Sequence, residues 1–278
     1  MRFAAAATLY RPTEAFIDNL LKNADTFPLL FVYDNSSDNS AYEDRIRERE
    51  NIIYSWDGLN HGLPEVFNRA LAECRERDID FLCMLDQDSV LDAVMAGRIE
   101  EYLETHDTSC IGAVGTCRGW QYTEDTSVDP EFDVDYLICS GTFINLRLME
   151  QYGLLFDEAY FVDRFDADLF FQMKKRGLRV FRLRTAYMAH TLGENGKYSK
   201  LRNYYVFRNR FYFNRKNYGW TAAAVRSFLQ TAKHVFGLCK EGEAGREKLK
   251  ALRPAWRDYR HGKMGAVSEP TLRELTGV

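Results

Sequence analysis

Short apolar runs alternate with helix-like stretches through the first part of the chain, and this rhythm leaves few folds open. Residues 3–9, 29–33, 52–55 and 81–85 read as strands, and 14–23, 42–50 and 65–75 as helices. Strand, helix and strand in succession predict an α/β layer built on a largely parallel sheet. In such sheets ligands bind beyond the carboxyl ends of the strands, so the residues after each apolar run carry the functional information.

Those residues are polar and rich in carboxylates. Asp34-Asn35-Ser36-Ser37-Asp38-Asn39-Ser40 follows the second run, Asp57-Gly58-Leu59-Asn60-His61-Gly62 the third, and Asp86-Gln87-Asp88-Ser89 the fourth. Asp, Asn, Ser and Gly are also the ordinary turn residues, so composition alone fits a cleft and plain strand termination equally well. Beyond residue 130 the rhythm changes. Residues 133–140 and 142–146 flank Gly141, 148–152 look helical, 166–176 form a helix ended by Gly177, and 178–185 read as a strand. From Ser199 onward the chain is basic, aromatic and helical in pattern.

With 278 residues, 46% of them hydrophobic, the chain can bury one substantial core with a small appendage. The net charge of −4 conceals a split. Residues 1–196 hold 19 Lys and Arg against 35 Asp and Glu, a net of −16, whereas residues 197–263 hold 17 against 4, a net of +13. The two parts therefore face different partners. Six cysteines without a C-x-x-C pair read as buried thiols of a reducing cytosol. No signal-peptide core and no apolar run of ~18–20 residues is present, so the expectation is a cytoplasmic protein, soluble or peripheral at the inner face of the cell membrane.

Four constellations carry chemistry. In an extended backbone Asp86 and Asp88 would project to one side, as a hard divalent cation shared with substrate phosphates requires; the same pair also serves as turn acids. In Tyr160-Phe161-Val162-Asp163-Arg164-Phe165-Asp166-Ala167-Asp168-Leu169, a helix starting near Asp163 or Arg164 would set Asp163 and Asp166 on one face. Acids there suit the helix dipole, and a carboxylate poised in a cleft is a candidate general base. His190 follows a strand-like run; alone it reads as a structural histidine, and beside an Asp-x-Asp site as a metal or phosphate contact. Arginines interleaved with aromatic residues over 202–217 could hold a diphosphate or stack on a base. The chain has no RNA-recognition pattern, no G-x-G-x-x-G and no G-x-x-x-x-G-K-[ST], so nucleic-acid, dinucleotide and P-loop readings lose support.

Taken in order, these pieces resemble the family 2 glycosyltransferases, and their rhamnosyltransferase branch in particular. The resemblance runs over residues 3–218. Its motifs are Val32 to Ser40, Asn60-His61-Gly62-Leu63-Pro64-Glu65-Val66-Phe67-Asn68-Arg69-Ala70-Leu71, Leu85-Asp86-Gln87-Asp88-Ser89, Ser140-Gly141-Thr142-Phe143-Ile144-Asn145, Phe161 to Asp168, His190-Thr191-Leu192-Gly193 and Tyr204 to Asn217. It implies a GT-A fold, with a GT-A domain over 1–218 (a nucleotide-binding half over 1–115, an acceptor half over 116–218) and a basic helical extension over 219–278. It also implies inverting transfer from a nucleotide-sugar, dependent on Mg²⁺ or Mn²⁺. By position, Asp34 would contact the base or ribose with Tyr10 and Arg11 nearby, and Asn60 and Gly62 would line the nucleotide. Asp86 and Asp88 would sit at the metal and diphosphate together with His190, Arg208 on the phosphate side, and Asp166 would take the acceptor proton. Many members carry Glu-Asp where this chain has Phe165-Asp166. Asp163 stands in for the missing acid, which leaves the division of roles between Asp163 and Asp166 open.

The Leu85-Asp86-Gln87-Asp88-Ser89 form leans toward dTDP-rhamnose as donor, with UDP-hexoses and UDP-galactofuranose as alternatives; the acceptor would be a cell-surface or lipid-linked glycan precursor. A sugar nucleotidyltransferase would need a glycine-rich phosphate loop near the first strand, and Thr8 to Thr13 has no glycine. Residues 220–239 place Val225, Phe228, Leu229, Ala232, Val235 and Phe236 at helical spacing, with Arg226, Lys233 and Lys240 seven apart. This basic amphipathic helix fits packing on the protein, an anionic membrane surface, or a homodimer contact.

Overall fold

The computed structural model describes all residues except 39–40, 118–120, 126–127, 191–198 and 278, together with the side chain of His190. Two compact units make up the chain: residues 1–157 with 166–193, and residues 158–165 with 194–278.

The first unit is an α/β layer. Strands β1 (Phe3–Leu9), β2 (Leu30–Asp34), β3 (Ile52–Trp56) and β4 (Phe81–Asp86) alternate with helices α1 (Glu14–Thr26), α2 (Glu43–Arg47) and α3 (Gly62–Glu76), close to the expected boundaries. Strand β5 (Ser89–Val90), helix α4 (Ala93–Thr105), strands β6 (Ile111–Cys117), β7 (Glu131–Asp133) and β8 (Thr142–Asn145), helices α5 (Leu146–Gln151) and α6 (Phe165–Lys175), and strands β9 (Arg179–Tyr187) and β10 (Ala189–His190) follow. The main sheet runs β3-β2-β1-β4-β8-β6-β9-β7, and β5 pairs with β10. Its β3-β2-β1-β4 part is parallel, while β8 and β7 run antiparallel to their neighbours. The sheet is thus mixed and mostly parallel, as expected.

Strand β1 is buried along its whole length, and its four alanines let helices approach both faces. Phe3, Ala5, Ala7 and Leu9 share a core cluster with Ile17 and Leu20 of α1 and Ile99 and Leu103 of α4. Helix α3, which buries Val66, Phe67, Ala70 and Cys74, packs on β1 and β4 with residues outside that cluster. Because β1, β2, β3 and β4 are parallel and in register, their carboxyl ends fall on one edge, with Leu9 opposite Asp34, Asp34 opposite Trp56 and Thr8 opposite Asp86.

The second unit is helical: α7 (Lys200–Asn217), α8 (Trp220–Cys239), α9 (Glu243–Leu249), α10 (Leu252–Arg260) and α11 (Glu269–Thr276). Helix α7 is buried nearly all round, and Tyr204, Tyr205, Phe207 and Phe211 form a core with Leu238, Ala251, Ala255 and Leu275. Residues 200–217, expected with the sheet, belong here because α8 and α10 cover them. A polar seam joins α7 to α8: His234 accepts from Arg210 at 3.0 Å and meets Asn203 Oδ1 at 2.9 Å, while Asn214 donates to Ser227 and Gln230.

Candidate functional site

At the strand-end edge Ser36 is a hub. Its N–H donates to Asp34 Oδ1 (2.9 Å), its hydroxyl accepts from the Arg11 N–H (2.7 Å), and its carbonyl accepts from Trp56 Nε1 (3.0 Å). Asp34 is 3% exposed, and its other oxygen accepts from the Tyr54 hydroxyl at 3.0 Å. Burial, followed by the Asp34 charge, pushes the Tyr54 phenol well above its ordinary range, so it stays protonated as that donor. Tyr10 and Trp56 remain exposed beside this hub. Tyr10 N–H donates to Gln87 Oε1 (2.9 Å), tying the β1 end to the turn after β4. Arg11 holds a left-handed φ of +47° and lays its guanidinium 5.3 Å from the Tyr10 ring centre. Non-glycine residues seldom adopt this conformation away from functional or tight-turn positions.

Asn60 and Gly62 shape the start of α3. Asn60 Oδ1 accepts from the Gly62 N–H (3.0 Å), Gly62 has φ +73°, and its carbonyl accepts from Asn35 Nδ2 (3.1 Å). His61 bridges Asp57 (2.7 Å) and Glu65 (2.9 Å), and its hydrogen bond holds the Asp57 carboxylate below the usual range.

The second half of the site centres on Cys139 and Ser140. The Asp86 N–H donates to Ser140 Oγ (3.0 Å), which bonds Ser89 Oγ (2.8 Å), while the Cys139 N–H donates to Asp166 Oδ2 (3.3 Å). The buried Cys139 thiol is pushed well up by burial, and then by the charges of Asp166 and Asp86. The Asp166 carboxylate and the Asp86 main chain therefore meet at adjacent residues, and both charges act on the Cys139 thiol, although 80 positions separate the two in the chain. Asp86 ends β4, but Asp88 lies on the following turn and not on an extended strand, so the expected side-by-side projection gives way to a turn in which Asp88 accepts from Ser89 Oγ (3.2 Å). Ser89 pairs with His190 across β5 and β10, setting the histidine backbone beside this turn. The His190 side chain and the rest of its motif, Thr191, Leu192 and Gly193, lie outside the described residues, as do Asn39 and Ser40. Among the described residues no group of three or more His, Cys, Asp or Glu stands ready for a metal.

Two further expectations need correction. Asp163 does not share a helix face with Asp166, because α6 begins at Phe165 and Asp163 sits before it with φ +58°. Its carboxylate pairs with Arg202 in the second unit through contacts of 2.5 and 2.6 Å. Arg208 is fully buried and directs its five N–H donors to Asn209, Tyr204 and the carbonyls of Lys263, Tyr160 and Gly265. A guanidinium so committed holds the fold of its unit and offers nothing to a phosphate. Sequence reasoning passed over Cys139, Tyr54 and Trp56 as site members. The signal for Trp56 was its place at a strand end.

A mixed, mostly parallel α/β sheet with a polar carboxyl edge and a helical C-terminal region gives the chain a GT-A-like fold, as its structural neighbours show. The mannosyltransferase PcManGT from Pyrobaculum calidifontis, solved with GDP-Man and Mn²⁺, matches 99% of this chain and 79% of its own at TM-score 0.58 and 13% identity. TarS residues 1–349 of S. aureus match 95% of this chain and 88% of their own at TM-score 0.54 and 15% identity, and the same protein has been solved with UDP-GlcNAc. In sequence, the dTDP-rhamnosyl transferase RfbF of Shigella flexneri is 22% identical over 228 residues, covering 73% of this chain and 76% of that one. No protein-family model matches the chain.

Proposed function

We propose that the protein is an inverting nucleotide-sugar glycosyltransferase, with dTDP-rhamnose as donor and a hydroxyl of a surface-glycan or lipid-linked precursor as acceptor. The meeting of Asp86 and Asp166 at Cys139 and Ser140 supports this reading: the Asp86 main chain and the Asp166 carboxylate bond adjacent residues and both charges raise the Cys139 thiol, which brings a diphosphate-side residue and a base candidate close together. The likeness to RfbF favours the rhamnosyl donor over UDP-hexoses and UDP-galactofuranose.

In this reading the exposed rings of Tyr10 and Trp56 take the nucleobase, and Asp34, fixed by Tyr54 and Ser36, orients the ribose side. Asp166, aimed by the Cys139 N–H, accepts the acceptor hydroxyl proton as the oxygen attacks the anomeric carbon from the face opposite the leaving diphosphate. Single displacement inverts that centre. The hard oxygen donors of Asp86 and Asp88, with His190 beside them in the chain ladder, suit Mg²⁺ or Mn²⁺. When bound, such an ion neutralises charge on the leaving diphosphate.

The test combines binding and turnover. dTDP with Mn²⁺ should raise the melting temperature by mass action, and Asp166→Asn should retain that shift while cutting dTDP release from dTDP-rhamnose by roughly 10²–10⁴-fold. Absence of any shift with dTDP, UDP or GDP would end the reading. A shift with unchanged turnover in the variant would remove Asp166 from the role of base.

A further inference from the structure

Helix α8 turns its apolar stripe to solvent. Trp220, Val225, Phe228, Leu229 and Phe236 are 53–74% exposed, whereas the residues that α8 buries are Ala223 and Leu238. On a helical projection Phe228, Val225, Phe236 and Leu229 fill one arc of about 100°, with Arg226 and Lys233 along its border. Beside α8 opens a groove of about 830 Å³ within the second unit, walled by Phe211, Phe228, Leu252 and Trp256. Arg215 and Arg253 are its charged lining residues, and no Asp or Glu lines it among the described residues.

An apolar surface of this extent marks a binding face, and its charge says what covers it. Residues 199–240 contain nine Lys and Arg and no Asp or Glu. The exposed rings of Trp220 and Phe236 and the half-buried ring of Tyr218 carry cations: Arg215 stands 4.4 Å from the Trp220 ring centre, Lys240 4.5 Å from Phe236, and Arg226 4.2 Å from Tyr218. A ring with a cation beside it suits a bilayer surface, where the ring sits at headgroup depth and the cation reaches phosphate. A second copy docked by two-fold symmetry would set these basic borders against each other. A nucleic acid would leave the stripe and groove uncovered.

We propose that α8 and its groove dock onto an anionic bilayer, with the apolar stripe in the headgroup–acyl boundary and Arg226, Lys233 and Lys240 at lipid phosphates. The surface lies wholly in the second unit and stands whether or not the transfer reaction is as proposed.

Flotation of the full chain with phosphatidylcholine vesicles, with and without phosphatidylglycerol, tests this. At low salt the bound fraction should favour the anionic vesicles by at least about tenfold and fall at high salt. Phe228→Glu with Leu229→Glu, at exposed sites, should abolish flotation without lowering the melting temperature. Arg226→Glu with Lys233→Glu, which keeps the apolar stripe, should weaken binding by at least about tenfold. A wild-type chain that stays unbound at low salt, or binds neutral vesicles equally well, overturns the proposal. So does a dimer in sedimentation velocity that the Phe228→Glu, Leu229→Glu variant dissolves, because the face would then belong to a second copy.

Discussion

Asn209 restrains the turn that carries Asp163. Phe161, Asp163 and Arg164 all hold left-handed φ values, +65°, +58° and +67°, a conformation that costs on the order of 1–3 kcal/mol per non-glycine residue. The Asn209 amide donates to the carbonyls of Tyr160 (3.1 Å), Val162 (2.5 Å) and Asp163 (3.0 Å), which keeps these groups satisfied where water is largely excluded. Asn209→Ala should therefore lower stability by about 2–4 kcal/mol, read from urea unfolding. Asn209→Asp should not rescue it, since an ionised carboxylate has nothing to donate. Asp163 itself is raised above the usual carboxylate range by burial, against which Arg202 pulls down. A carboxyl whose folded pKa exceeds its unfolded value costs stability above that pKa and is relieved as pH falls. Asp163→Asn should consequently change stability by no more than about 1 kcal/mol, because the relieved cost offsets the lost pairing with a half-exposed Arg202. If Asp163 pairs with Arg202 and Asp166 serves as base, turnover in Asp163→Asn should exceed that of Asp166→Asn; the reverse order would exchange their roles.

Among the elements, the start of β8 is where packing is tightest around the site. Gly141 has φ +73°, its N–H donates to the Met84 carbonyl at 2.8 Å, and a Cβ there would stand 2.5 Å from Thr116 Oγ1 and 2.8 Å from Met188 Sδ. Gly141→Ala should cost roughly 2–4 kcal/mol through strain and overpacking combined, lowering the urea midpoint and loosening the adjacent Ser140 contact to Asp86. The β1–β4 region was legible because apolar runs bounded by Asp, Asn and Gly repeat there with strand and helix lengths. Residues 93–117 carried no expectation, although Ala96, Ile99 and Leu103 recur at helical spacing in α4. The two-residue ladder of β5 with β10 is too short for any periodicity to show, and it positions His190. Asp86, Asp88 and Asp166 could be picked out by residue type, but Cys139, which feels the charges of both Asp86 and Asp166, could not, since that contact is long-range and apolar in setting. Arg208 misled for a related reason. Aromatic–arginine alternation looks the same whether the helix faces a ligand or, as in α7, is buried nearly all round.

For the molecule as a whole, the split between acidic and basic parts of the chain is a surface property, whereas the acid sensitivity of the fold traces to the polar groups buried in the basic part. Burial, and then Arg210, lowers the His234 pKa from 6.5 to about 4. Arg210 can only donate, so Nδ1 of His234 accepts and Nε2–H donates to Asn203, which fixes a neutral ring. Between pH 6.5 and about 4 the unfolded chain binds a proton at this site that the folded chain does not. Stability therefore falls as pH drops through that window, by on the order of 1–2 kcal/mol once solvent screening of a half-buried ring is allowed for. Asp258 acts lower on the scale. Burial pushes its carboxyl up, but hydrogen bonds from Thr271, Tyr204 and Arg257 outweigh this and hold it below 3.8, so its contribution is lost only as pH falls through that lowered value. Glu100, raised by burial and by Glu104, works in the opposite sense and blurs the total. A paired comparison removes that background. His234→Gln can accept from Arg210 and donate to Asn203 without titrating, so its urea midpoint should be flat relative to wild type at neutral pH and hold up better from pH 6.5 down to about 4. Below that window the two curves should fall in parallel. Parallel curves throughout would show that His234 protonates as readily in the folded chain as in the unfolded one.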